Sequence, residues 1–250
     1  MASRQDKVSP AEWKTRVDLA AAYRLFHLLG MTDLIYTHMS ARVPDQEDRF
    51  LINPYGLMFH EVTASNLIKV DSEGNLAEDS EGEANPAGFT IHSALHMARP
   101  DIGCAIHLHT HAGMAVSAQA DGLLPITQHS LRWYNRIAYH DYEGIALDHA
   151  ERERLARDLG NHHSMILRNH GLLTVGRDVP EAAVLMYYLE QSCRTQIAAL
   201  SGGRRLVTPS PEVCEHTALQ YEKAYPRAGV LEWGPLLRWV DGQSGDGYRA

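Results

Sequence analysis

The feature that most constrains this chain is a strict alternation that ends in histidines. Ile102, Cys104, Ile106 and Leu108 alternate with Gly103, Ala105, His107 and His109. A period of two is the signature of a β-strand with two different faces, and a helix cannot accommodate it. Residues two apart on a strand share a face, so His107 and His109 project side by side, about 7 Å apart at the backbone. Two imidazoles so placed can reach one divalent cation at roughly 2.0–2.1 Å. The strand runs into Ala112, Gly113 and Ala115. This reads as a strand-to-helix turn, where sites in mixed α/β proteins often lie.

An H-x-H pair alone is common on half-buried strands, so the rest of the chain must supply the argument. The 250 residues carry no Gly/Ser/Pro-rich linker in the middle, which points to one domain over 1–250. A net charge of −8 without a Lys/Arg run argues against a nucleic-acid partner. No apolar stretch approaches the roughly 18–20 residues that span a bilayer, and residues 1–10 are too polar for a signal peptide. Three scattered cysteines, Cys104, Cys193 and Cys214, match neither a zinc nor a disulfide framework and suit a reducing cytoplasm.

Helices and strands follow one another along the chain. Ser9-Pro10-Ala11-Glu12 predicts a capping box opening a helix to Gly30. Residues 33–43 and 50–53 predict two antiparallel strands joined around Pro44–Asp48. On the first, His38 shares a face with Ser40 and reads as a surface or hydrogen-bonded core histidine. A short helix over 63–67, a strand over 68–71 and an acidic loop over 78–83 follow. Asn85-Pro86 opens a helix that puts Gly88, His92 and His96 on one stripe. Further strands are expected over 124–127, 136–140, 165–169 and 172–176. A helix capped at Asp148-His149-Ala150-Glu151 runs to Gly160, and Asp178 begins a long amphipathic one to about Leu200. The aromatic-rich tail, 211–250, is expected to dock on its own core or on a neighbouring subunit.

Asn169-His170-Gly171 sits between two apolar strand-like runs, with Gly171 freeing the backbone. His107, His109 and His170 then make a three-histidine set, the layout of a catalytic metal site with open positions.

At this point the sequence resembles the class II aldolase/adducin family, typified by fuculose-phosphate and ribulose-phosphate aldolases and epimerases. The resemblance runs from about Ala11 to Leu200. It rests on Phe89-Thr90-Ile91-His92 through Arg99-Pro100-Asp101, on Ala105-Ile106-His107-Leu108-His109, and on Asn169-His170-Gly171-Leu172-Leu173. Tyr55-Gly56-Leu57 and Val70-Asp71-Ser72-Glu73-Gly74-Asn75 match as well. It implies an α/β fold, three-layer α/β/α around a central, mostly antiparallel sheet. It also implies a homotetramer with active sites between subunits, and Zn²⁺ on His107, His109 and His170, with Fe²⁺ and Mn²⁺ as alternatives.

Departures from the family bear on the reaction. Counting back from His107 by the aldolase spacing, the acid that ligates the metal and shuttles the proton falls at Gly88. The phosphate-binding serines fall at about Pro86 and Ala87, the Gly-Asn phosphate loop reads Tyr36-Thr37-His38, and the catalytic tyrosine of the neighbouring subunit falls at about His129. The expected activity is a metal-dependent lyase, retro-aldol or decarboxylating, on a small non-phosphorylated carbonyl compound. Proton transfer falls to His92, His129, Tyr139 or His140, with His111, Glu61 and Glu143 as weaker candidates. An iron oxygenase on the same three histidines, or a non-catalytic adducin-like interaction domain, are the alternatives.

Overall fold

A computed structural model describes residues 3–77, 82–144, 151–224 and 227–250. Helix α1 (Pro10–Leu28) starts where Ser9 accepts a hydrogen bond from the Glu12 N–H at 3.1 Å, with Pro10 in the first turn. The expected capping box is not completed. Glu12 is buried and turns instead to Arg16 at 2.9 Å and Lys69 at 2.8 Å, because a buried carboxylate needs full charge compensation. Strands β1 (His38–Val43), β2 (Gln46–Ile52) and β3 (Ile68–Val70) pair antiparallel, and β1–β2 is a hairpin closed by Pro44-Asp45. β1 begins five residues later than expected. The chain turns at Leu34, whose φ is +46°, and this sets Asp33 free of any ladder. Residues 63–67 form a turn held by Thr63 and Asn66 bonding each other's backbone, not a helix.

Helix α2 (Pro86–Ala98) precedes β4 (Cys104–Leu108), which runs into α3 (His111–Ser117), where Thr110 accepts from the Gly113 N–H. The strand expected at 124–127 is absent: Pro125 has no N–H for a ladder, and Thr127 caps α4 (Gln128–Leu131) instead. Then come β5 (Ala138–His140), α5 (Glu151–Leu159), β6 (Ser164–Leu167), β7 (Gly171–Gly176) and α6 (Val179–Ser201), followed by α7 (Pro211–Ala224) and α8 (Trp233–Ser244). The expected acidic loop at 78–81 and the cap at Asp148-His149-Ala150 lie outside the described residues.

The seven strands form one sheet in the order β3-β2-β1-β4-β7-β6-β5, antiparallel except for the β5–β6 pair. Helices cover both faces. Cys104, Ile106 and Leu108 of β4 point into the larger apolar cluster with α1, α3 and α6. Ala105 points into the smaller one with α2 and α5. The alternation read from the sequence is therefore a strand at the centre of the sheet with a helical layer on each side, which leaves His107 on the α2/α5 face. In the C-terminal segment, Trp233 donates Nε1–H to Asp18 of α1 at 3.0 Å, and the Tyr248 carbonyl accepts from the Ala64 N–H. Among the described residues no helix is long and apolar enough to cross a membrane. The three cysteines are buried thiols.

Candidate metal centre

His107 is the penultimate residue of β4, His109 stands in the β4–α3 turn, and His170 sits in the turn between β6 and β7. The antiparallel β4–β7 pairing, with His107 opposite Leu173, brings these sites together. Ring centroids are 4.7 Å apart for His107–His109 and His107–His170, and 4.8 Å for His109–His170. One ligand nitrogen from each ring lies within 4.8 Å of the others. The backbone strain at the turn falls on Asn169, with φ +55°, so Gly171 is not there for freedom of the chain. It is there for space: a Cβ at 171 would lie 2.6 Å from the Leu108 carbonyl oxygen and 3.2 Å from the His109 ring.

The direction of each ring is set by its second nitrogen. His107 Nδ1–H donates to the Leu172 carbonyl at 3.0 Å. His109 Nδ1–H donates to the Asp33 carboxylate at 2.9 Å. Both Nε2 atoms therefore carry lone pairs, and they face each other at 3.0 Å. This is how metal-ligating histidines are held, with the far N–H given to a carbonyl or a carboxylate. Three nitrogen donors with open positions fit a divalent ion such as Zn²⁺. Burial, and then His170, His109 and His38, hold His107 well below the ordinary histidine pKa. Burial, then His109 and His140, bring His170 down to about 4. His107 and His170 are therefore neutral near pH 7, as ligation requires.

Behind the trio lies a second set of histidines. His38 is the cross-strand partner of His107, with ring centroids 5.3 Å apart. Its Nδ1 meets His92 Nε2 at 3.1 Å, and His92 Nδ1 meets Ser40 Oγ at 2.7 Å. Ser40 Oγ meets His96 Nε2 at 2.8 Å, and His96 Nδ1 meets the Ile102 carbonyl at 3.2 Å. All four side chains are buried. Burial, with Arg42 next in effect, lowers His96 to about 3, and burial and neighbouring histidines hold His92 and His38 well below the ordinary range. At position 88, where the family's acid is absent, an added Cβ would lie 2.3 Å from His38 Cδ2 and 2.4 Å from its Nε2.

The remaining candidates are dispersed. His92 stands behind His38, one ring removed from the trio. His140 is held through Nδ1 by Asp158 at 2.8 Å and shares a small cavity with His170, Tyr142 and Glu143. Tyr139 is the alternate residue of the same strand. It packs with the opposite layer, its hydroxyl accepts from the Leu123 N–H, and Arg168 lies over its ring. His129 is exposed on α4 against Tyr188, and His111 is exposed at the start of α3. Glu61 caps the turn at Met58, and Glu143 pairs with Arg154. Asp33 is the residue the sequence reading missed. Its only sequence signal is an acid just ahead of a strand, which does not reveal that the chain turns back toward His109. Tyr142, exposed with its ring 6.4 Å from His170, was missed as well.

Comparison with known proteins agrees with this geometry. The family model for the class II aldolase and adducin N-terminal domain matches residues 17–197. A protein of Pseudomonas aeruginosa, provisionally named an aldolase class 2 protein, is 50% identical over 249 residues, 98% of this chain and 95% of its own. Alpha-adducin of Rattus norvegicus is 45% identical over 189 residues, 74% of this chain but 26% of the adducin. The solved structure of L-fuculose 1-phosphate aldolase from Glaciozyma antarctica superposes with a TM-score of 0.85 at 29% identity, covering 100% of this chain and 96% of that one. With a family model matching most of its length and a half-identical relative matching nearly all of it, the chain belongs to the class II aldolase/adducin family.

Proposed function

We propose that the protein is a divalent-metal-dependent lyase of aldolase type, cleaving a carbon–carbon bond by retro-aldol reaction or decarboxylation in a small, non-phosphorylated carbonyl compound. One observation carries the reading. The Nε2 lone pairs of His107 and His109 oppose each other at 3.0 Å while both Nδ1–H groups are already committed elsewhere. Lone pairs so placed repel one another unless a metal ion or a shared proton lies between them, and His170 adds the third donor. A divalent ion, Zn²⁺ in our reading, supplies a Lewis acid that polarises a carbonyl oxygen. The chain's own groups hold the rings: the Leu172 carbonyl fixes His107 and the Asp33 carboxylate fixes His109.

The absence of a phosphate is supported by Pro86 and Ala87, which have no hydroxyl. Of the proton-transfer candidates, His140 borders the same cavity as His170 and is our assignment within one chain. His129, on exposed α4, serves the site of a neighbouring subunit in a homotetramer of the family's kind. We place the enzyme in the cytoplasm.

The test is elemental analysis of the purified protein beside His109→Ala. The parent is expected to hold about one divalent ion per chain and the variant far less. Equal metal in both would sink the assignment. An ion-free parent that folds normally would favour a non-catalytic, adducin-like role.

A further inference from the structure

At the end of the sheet away from the trio, residues of α4, α6 and α7 border a cavity of about 830 Å³. β7 leaves Gly171 beside the trio and ends at Gly176. The next residue, Arg177, is on the cavity wall, about 20 Å along the strand. Trp133, Leu185, Ala218 and Ala228 give that wall an apolar stretch. A space of this size and lining suits a small organic molecule.

The charges around it are unevenly matched. Three carboxylates line the cavity: Glu181, Glu215 and Glu222. Glu181 pairs with Arg177 at 2.7 Å, while Glu215 and Glu222 both pair with Arg136, each at 2.7 Å. Arg132, the third arginine on the wall, is left over. Its guanidinium carbon lies 4.5 Å from the Tyr221 ring centroid and 5.0 Å from that of Tyr188. These rings offer the charge a π face but no lone pair for its N–H groups. Arg132 Nη1 is buried with no hydrogen-bond partner, and among the described residues no acid forms an ion pair with this side chain. Glu232 acts on the charge through space, but its carboxylate accepts from the Gly229 N–H at 3.0 Å. A half-buried guanidinium without an acceptor has lost water, and ring contacts offset that loss only in part.

We propose that this cavity is a second ligand site, for an organic monocarboxylate with an apolar body. The carboxylate takes Nε and Nη2 of Arg132, the side of the fork away from the enclosed Nη1, in the bidentate geometry that guanidinium and carboxylate share. The body lies along Trp133, Leu185 and Ala218. A single negative charge is specified, because one guanidinium is unspent and the three carboxylates on the same wall repel a second charge. A phosphate monoester, close to doubly charged near pH 7, is disfavoured for that reason.

The full-length protein is titrated by calorimetry with 2-naphthoate and with 2-naphthamide, its neutral counterpart. The parent is expected to prefer the carboxylate roughly ten- to hundredfold. Arg132→Met keeps a side chain of similar length between the rings and removes the charge, so the preference should fall close to unity while naphthamide binds as before. Leu185→Trp narrows the apolar wall and should weaken both probes without changing their ratio. His109→Ala should leave both affinities unchanged, which separates this cavity from carboxylate binding at a metal ion. The site is overturned by a preference near unity in the parent, by a preference that survives Arg132→Met or is lost in His109→Ala, or by probes indifferent to Leu185→Trp.

Discussion

The molecule holds two groups of histidines a few ångströms apart, one partly exposed and one buried, and they are wired in opposite ways. In the trio, the outer nitrogens of His107 and His109 are tied to fixed acceptors, so the inner nitrogens converge with lone pairs unspent. In the row behind it, each lone pair of His92 and His96 is met by the next donor, so the charge demand is satisfied from within. Residue type is the same in both, but the row is buried throughout while His109 and His170 of the trio are partly exposed. In the proposed reading, exposure and the partner of the far nitrogen of His107 and His109 together set a ligand set apart from a scaffold.

Acid should have the largest effect on the ion-free fold. An ordinary histidine titrates near 6.5, whereas His170 is held at about 4 and His96 at about 3. As pH falls below 6.5 the unfolded chain takes up protons that the folded chain refuses. The stability these rings contribute is complete above 6.5 and is lost between there and about 3. Each such ring adds a slope of about 1.4 kcal/mol per pH unit within its window. Denaturant unfolding across this range, with and without Zn²⁺, sharpens the comparison: bound ion should change the share that belongs to the trio and not the share of the row behind it. A profile that is flat with pH would show that neither set is kept neutral by the fold.

A smaller loss is expected from Gly88→Ala. The added methyl meets the His38 ring at 2.3–2.8 Å, and that ring is held by β1 and by His92, so overpacking should cost about 1–3 kcal/mol. The shift in denaturation midpoint reads it directly. A neutral result would mean that His38 is free to swing away, and the ordered row would lose its anchor.

Asp33→Asn should leave the ion-free fold within about 0.5 kcal/mol, since the side chain is 42% exposed. Its effect belongs to the trio alone: metal affinity, measured by chelator competition, should drop roughly 10- to 100-fold as His109 loses its charged anchor. An unchanged affinity would break the claim that the far nitrogen helps decide which histidines are ligands.

Much of this was legible before any coordinates. The alternation at 102–109 places a strand with two faces, and Ser9 and Asp178 cap the helices they precede. The spacing of Gly88, His92 and His96 correctly predicts one helical stripe, although it says nothing of what faces that stripe. The errors have local causes. Apolar residues near Pro125 mimic a strand, and Asp33-Leu34 reads as extended when Leu34 in fact turns the chain.

The sequence by itself determined the periodicities, the caps, the histidine inventory and the absence of an acid at position 88, because these depend on residues close along the chain. Only the tertiary structure decided which histidines meet and which nitrogen of each ring is bare. Those answers depend on cross-strand register, which sets His38 opposite His107 and His107 opposite Leu173, and on a turn 76 residues before His109 that delivers Asp33. A ring nitrogen becomes a lone pair or a donor according to the group lying beyond it, and the fold brings these groups from distant parts of the chain.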